Sequence, residues 1–396
     1  MSTNFKIKLL TFIRYFGDSF FYPFLAIYLH SLDYGETRIG VLVALTPLIG
    51  IIVNPLYSKL CKNAKTLKIV LGVIGIIEGL GIIALSLVHS YSLVLAIIIT
   101  IAITGTSHYG LLDSLSTIYS EFHHINFSNI RVYGSMAYAI GTTLSGFVIE
   151  WLGYTFSFGI CFSLFVLSSI LYFTLGEVNN RIEEEKEKRS YKDVLTNEGF
   201  MLYFAFYFVL YGTMKTNQHL YGLLTEYRGL NSSQFGIIYT SFVLVEAITL
   251  IILDRIDKKL KYEHVLFWIA LQSIAMYFVN GSSLPTMVLL IVGLVRGTSY
   301  AMLLHVNYKI VVKLVGVRNA TIGILLLELA ISIFVILGDS IGGYVIEHTT
   351  FREYYWILGV LQSSALLFYL IFVRKFIKKV DSLRREEMLG VENEKD

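Results

Sequence analysis

The residues that could do chemistry in this chain are a few ionisable side chains set inside long apolar runs. Asp113 precedes Arg131 by eighteen residues, and Tyr138 follows Arg131 by seven. Seven residues make two helical turns, so the cation and the ring share one helix face. Asp113 lies about 12 Å before the end of its own run, at 1.5 Å per residue. The turn "HHINFSN" then lets it meet Arg131 on the next, antiparallel run. A carboxylate, a guanidinium and a ring arranged in this way suit a polyhydroxylated ligand. The ring covers an apolar face while the charged groups hydrogen-bond hydroxyls. The same set suits an aromatic acid whose carboxylate the arginine grips. A plainer alternative has Arg131 snorkelling to the headgroups while Asp113 finds a hydroxyl.

Further ionisable groups interrupt the other runs, where each costs about 2.5–3.5 kcal/mol on insertion scales and is expected to face the bundle interior. Glu246 sits in the middle of "SFVLVEAITLII" and needs a proton or a partner there. Arg14 and Asp18 stand four apart on one face. They form either a self-neutralising structural pair or a site where Asp18 carries a proton according to whether Arg14 or water faces it. Lys215, Arg296 and His305 are the candidate ligand-binding cations of the second half. Glu328 and Asp339, eleven apart at nearly the same helix angle, are expected to line one cavity wall and to be further proton sites. Glu78 is a weaker candidate, because the glycines of "GIIEGLG" also suit close helix packing. Glu150 and Glu347 are expected at the rim.

The elements that must position these groups follow from composition. Hydrophobic residues make up 55% of 396 and charged residues 15%, with a mean hydropathy of +0.65. Soluble chains carry about 25% charge. Apolar runs of bilayer length recur throughout, so the fold class is an all-α polytopic membrane protein. Twelve spans are expected near 9–30, 38–58, 67–88, 91–119, 131–151, 154–176, 198–222, 233–254, 263–281, 285–310, 319–346 and 353–374. The first run holds Arg14 and Asp18 and lacks a small-residue cleavage site, so it reads as a retained helix.

The charged stretch "EVNNRIEEEKEKRSYKDVLTNE" divides the chain. The expected organisation is a first six-helix bundle (1–176), a cytoplasmic linker (177–197), a second six-helix bundle (198–374) and a cytoplasmic tail (375–396). Lys and Arg alternate in density from break to break, which places both termini on the cytoplasmic side of the cell membrane. The halves also repeat. "GTSHYGLLD" (105–113) returns as "GTSYAMLLH" (297–305), and "SGFVIEW" (145–151) as "GGYVIEH" (342–348). Two matches in equivalent spans imply a duplication, and duplicated bundles hold substrate near the midplane between halves that rock.

The stretch "LLDSLSTIYSEFHHINFSNIRVYGSMAYAIGTTLSG", with "FFYPFLAIYLH", "RIGVLVAL" and "VLVEA", resembles the major facilitator superfamily. The branch it resembles contains lactose permease, nucleoside symporters and phenylpropionate permease. The resemblance implies that Asp113 and Arg131 occupy the places of lactose permease's sugar-binding acid and arginine, and Tyr138 that of its stacking tryptophan. It also implies proton coupling, but the pattern departs in the second half. The tenth span has Arg296 and His305 where that permease has a His-x-x-Glu, and Lys215 stands in place of its helix-seven acid. Lactose is therefore not the expected substrate. The proton site is expected at Glu246 first and Asp18 second.

The expected function is proton-coupled symport of a small polar metabolite (a sugar, a nucleoside or an aromatic acid) by alternating access, with the proton gradient as energy source and no cofactor. The alternative is an exporter of drugs or metabolites in exchange for protons, because "RYFGDSFFYPF" resembles first helices of facilitator efflux pumps. A non-transporting sensor would need an added soluble domain. No metal spacing or nucleophile arrangement points to an enzyme. Cys61 and Cys161 offer no disulfide framework, and a net charge of +3 gives no footing for nucleic acid. The expected partners are the substrate, protons and the lipid bilayer, with the chain acting as a monomer.

Overall fold

In a bilayer every backbone N–H and C=O must be satisfied within the segment, and apolar runs of this length do so as helices. The computed structural model describes residues 3–124, 127–176, 178 and 190–393. The first half contains α1 (Thr3–Asp18), α2 (Leu25–Ser31), α3 (Glu36–Leu60) and α4 (Ala64–Leu85). It continues with α5 (Tyr91–Gly105), α6 (His108–His123), α7 (Phe127–Leu152) and α8 (Tyr154–Thr174). After the short α9 (Tyr191–Leu195) come α10 (Glu198–Tyr227), α11 (Ser232–Ile256), α12 (Tyr262–Asn280) and α13 (Met287–Val315). The chain ends with α14 (Val317–His348), α15 (Phe351–Phe368), a π-helical turn (Tyr369–Val373) and α16 (Arg374–Asn393). Each of the twelve expected spans coincides with helix. Among the described residues, nine helical segments are long and apolar enough to cross a membrane. Most of the expected linker 177–197 lies outside the described residues, as do 394–396.

Two spans that read as continuous are broken. In the first, α1 stops at Asp18 and a 3₁₀ turn (Tyr22–Phe24) leads into α2. Pro23 lacks the N–H that an unbroken helix would need. In the fourth, α5 ends at Gly105 and α6 begins at His108, with the small residues Thr106 and Ser107 between them. Residues 375–393 continue as helix in α16, whose Ile377 and Val380 are buried in the core. Asp381 there accepts from the backbone N–H groups of Tyr262 (2.9 Å) and Glu263 (3.1 Å), capping α12.

The described chain packs as two units. Unit 1 comprises Met1–Glu185, Gln218–Thr240 and Asp339–Glu347; unit 2 comprises Lys186–Asn217, Ser241–Gly338 and His348–Asp396. In unit 1, α4 lies against α8 through glycines. A Cβ on Gly79 would stand 2.9 Å from Phe162, and one on Gly75 would stand 2.8 Å from the Ser169 hydroxyl. In unit 2, Tyr203, Phe206, Leu266, Ile269 and Tyr369 form the buried core.

The repeated "GFVIE" and "GYVIE" segments do equivalent work inside unit 1. Gly343 of α14 meets the start of α3, where its Cα lies 3.2 Å from the Cβ that Gly40 would carry. Gly146 of α7 meets the start of α11, where a Cβ would stand 3.0 Å from Ser233 Cα. The glutamate four residues after each glycine caps the same crossing. Glu347 accepts from Thr37 N at 2.8 Å, and Glu150 from Asn231 Nδ2 at 2.9 Å. The rim carboxylates thus sit at helix N-termini, where exposed N–H groups and the helix dipole favour an anion.

Candidate functional site

Helix α7 carries Arg131 and Tyr138 on the face that meets α1. Gly134, between them, lets α1 approach, since a Cβ there would be 3.0 Å from the Tyr15 ring. Arg131 Nη1 donates to Asp113 Oδ1 at 3.1 Å and Oδ2 at 3.3 Å. The two side chains are 43% and 39% exposed, so the pair is open to ligand or solvent. The guanidinium also lies 5.0 Å from the centroid of Tyr15, whose ring packs 4.9 Å from that of Tyr109.

Tyr138 faces a cavity of about 160 Å³ in unit 1. Its polar lining is Tyr22, Tyr138, Tyr239, Gln218, His219 and Thr46. Gln218 Nε2 donates to the Tyr239 hydroxyl at 3.0 Å, and the rings of Tyr138 and Tyr239 lie 6.2 Å apart. His219 Nδ1 is 2.7 Å from Oδ2 of Asp339, whose side chain is fully buried. Asp113 and Arg131 are not among the residues lining this cavity.

Arg14 and Asp18 do pair, and a third group joins them. Arg14 Nε donates to Asp18 Oδ2 at 3.2 Å, and Nη2 lies 2.9 Å from Asp18 Oδ1. The same Nη2 donates to Glu78 Oε1 at 2.8 Å and Oε2 at 2.9 Å. Phe165 lies 3.7 Å beneath the guanidinium. Glu78 also accepts from the Tyr22 hydroxyl at 2.6 Å and has His108 Nδ1 3.6 Å away. Gly75 and Gly79 therefore pack against α8 and Gly81 against Ile101 of α5, while the Glu78 carboxylate points at Arg14.

In unit 2, Lys215 lies 5.4 Å from the ring of Tyr211 and 5.8 Å from that of Tyr300. Arg296 lies 4.4 Å from Phe242 and 5.7 Å from Tyr300. Lys215 and Arg296 are the charges that act on Glu246, and Lys215 also acts on Glu328. These four residues and two tyrosines form one group. His305 is not part of it. Nine residues beyond Arg296 on α13, His305 lies 2.6 Å from Asp257 and 3.0 Å from Lys309, in a cluster that Arg384 of α16 completes at 2.7 Å. Asp339 of unit 1 is bound to His219 at 2.7 Å.

The sequence reading assigned no role to Tyr22, His108, Gln218, His219 or Tyr239. Only Tyr22 carried a local signal, the proline that follows it. The others become neighbours only when distant spans pack.

Residues 8–266 and 216–392 match the model of the Major Facilitator Superfamily. The maltose permease of Geobacillus stearothermophilus is 20% identical over 381 residues, covering 92% of this chain and 93% of its own. The uncharacterized transporter YwbF of Bacillus subtilis (strain 168) is 22% identical over 236 residues, and the match spans 59% of this chain and 58% of that protein. Among solved structures, the nucleoside transporter NupG superposes with a TM-score of 0.75 at 14% identity, over 93% of this chain and 99% of that one. A mutant of NupG superposes with a TM-score of 0.80.

Proposed function

The chain belongs to the Major Facilitator Superfamily, and from that premise we propose that this transporter carries a small, neutral, polyhydroxylated metabolite, a nucleoside or a sugar, in symport with protons. The unit 1 cavity carries the proposal. Its polar groups are three tyrosines, a glutamine, a threonine and a histidine, all able to hydrogen-bond hydroxyls, and its rings offer flat surfaces. An aromatic acid fits less well. Arg131 already holds Asp113 at 3.1 Å, so an incoming carboxylate would have to displace another carboxylate. A neutral hydroxylated ligand that reached beyond the cavity lining to this pair could instead accept from Arg131 and donate to Asp113 with the pair intact. The names of the maltose permease and the nucleoside transporter favour the same class.

Proton coupling rests on Glu246, within electrostatic reach of Lys215 and Arg296, as the first carrier and on Asp18 as the second. Alternating access in the cell membrane, with both termini cytoplasmic, follows from the duplication and the Lys/Arg bias. Export in exchange for protons is the second reading, favoured by the buried acid of the first span.

Thermal unfolding of the purified protein with uridine, maltose and phenylpropionate tests the substrate class, since a ligand bound to the native state stabilises it by mass action. Uridine or maltose should raise the midpoint and phenylpropionate should not. Stabilisation by phenylpropionate alone would overturn the neutral-ligand reading. Alkalinisation of the medium on adding substrate to cells would support symport. Acidification of the lumen of everted vesicles that a drug reverses would support export.

A further inference from the structure

Arg14, Asp18, Glu78 and His108 have no solvent exposure. One guanidinium serves two carboxylates, so with His108 neutral the group holds one negative charge in excess. An uncompensated charge shut away from water is costly enough that a group takes up or gives up a proton instead. Among the described residues, the other titratable side chains facing the cluster are Tyr57 on α3, Tyr22 on the 3₁₀ turn, Tyr109 on α6, and Tyr172 and Cys161 on α8. None of them carries a fixed positive charge that would balance it. Two buried nitrogens of these four side chains have no hydrogen-bond partner among the described residues. They are Arg14 Nη1 and His108 Nδ1, the latter 3.6 Å from Glu78 Oε2. His108 Nε2 is held by the Tyr172 hydroxyl at 3.0 Å, which fixes the ring with Nδ1 towards Glu78.

The cluster also sits where both broken spans converge. Asp18 is the last residue of α1, Tyr22 the first of the 3₁₀ turn, and His108 the first of α6. Gly105 ends α5 at this point. A Cβ there would strike the Tyr22 hydroxyl and come within 2.8 Å of Glu78 Oε1. Interrupted membrane helices supply backbone and side-chain groups to ion and substrate sites. Tyr22 belongs to both places at once: its hydroxyl donates to Glu78 at 2.6 Å, and it lines the cavity beside Tyr138.

We propose that Glu78, Asp18 and His108, gathered around Arg14, share one exchangeable proton, and that Tyr22 is the positioning residue tying that proton to ligand in the cavity. A ligand hydroxyl that takes the Tyr22 hydrogen bond removes a neutral donor from Glu78. A proton from the aqueous phase, held between Glu78 and His108, replaces it. Ligand and proton then load together. The role in coupling rests on the symport reading above, but the proton site itself does not.

Infrared difference spectra of the full chain in detergent, titrated with pH without any ligand, test the site first. A carboxyl or imidazolium signal should titrate in wild type, vanish in Glu78→Gln, shift its midpoint in His108→Gln and Tyr22→Phe, and persist in Glu246→Gln. A signal unchanged in both Glu78→Gln and His108→Gln, or lost only in Glu246→Gln, overturns the site. Should Glu78→Gln fail to fold, Tyr22→Phe decides, since it removes only one hydroxyl. The link to ligand is then read from uridine and maltose uptake into proteoliposomes. In Tyr22→Phe, stimulation by an imposed pH gradient should be lost to a greater degree than counterflow. An unshifted midpoint with full gradient stimulation would overturn the role of Tyr22. If wild type moved neither uridine nor maltose, the substrate reading would fall while the infrared titration still decided the proton site.

Discussion

Gly343→Leu probes the crossing that the duplicated "GYVIE" segment makes with α3. Here backbone meets backbone. A Cβ at 343 would collide with the Glu36 carbonyl oxygen and stand 3.0 Å from its carbon and 3.2 Å from Gly40 Cα. Ordinary carbon contacts lie at about 3.5–4.0 Å, so even the first carbon of leucine forces the helices apart. Overpacking of this kind costs about 1–3 kcal/mol, and with 1.4 kcal/mol per decade the closed crossing should lose about 5- to 150-fold in population. Spin labels at the exposed positions Leu87 and Ile341, in a chain with Cys61 and Cys161 replaced by serine, report the separation by double electron–electron resonance. A longer distance should grow in Gly343→Leu and in Gly40→Val. Gly159→Ala is the control, because a Cβ there finds only Ile83 Cδ1 at 3.9 Å. Distance distributions that superpose on wild type in both crossing variants would refute the argument that these glycines hold the crossing closed.

Arg131→Ala should abolish the thermal stabilisation given by uridine or maltose, and Arg131→Lys should keep little of it, because lysine lacks the planar fork of donors; equal stabilisation in both variants would remove Arg131 from the site. Glu246→Gln should lower gradient-driven accumulation in proteoliposomes far more than counterflow, whereas equal loss of both would make Glu246 a structural or ligand-binding group. Asp381→Ala removes the acceptor for two backbone N–H groups at the start of α12, at 2.9 and 3.1 Å. A lost cap costs about 1 kcal/mol, so the unfolding midpoint in detergent should fall while ligand stabilisation persists.

The apolar runs made the helices legible because a bilayer leaves the backbone one local solution, and a 3.6-residue period fixes which side chains share a face. Asp113 and Arg131 could be matched from sequence for the same reason, since they lie on consecutive spans joined by a short turn. The repeat was equally visible, but what Gly146, Gly343, Glu150 and Glu347 touch was not, because each meets a helix start far away in the chain. The first and fourth spans read as continuous, since hydropathy registers neither the missing N–H of Pro23 nor the break after Gly105.

The sequence by itself determined the class of molecule, where its helices run, the internal repeat and the family, all consequences of periodicity and solvent that act within a few turns of chain. Tertiary packing decided which ionisable groups meet. It brought Glu78 and His108 to Arg14 and Asp18, tied Asp339 to His219, and drew His305 into the Asp257 cluster. A buried charge takes the nearest opposite partner that packing supplies, and helix angle limits only the direction in which it can look.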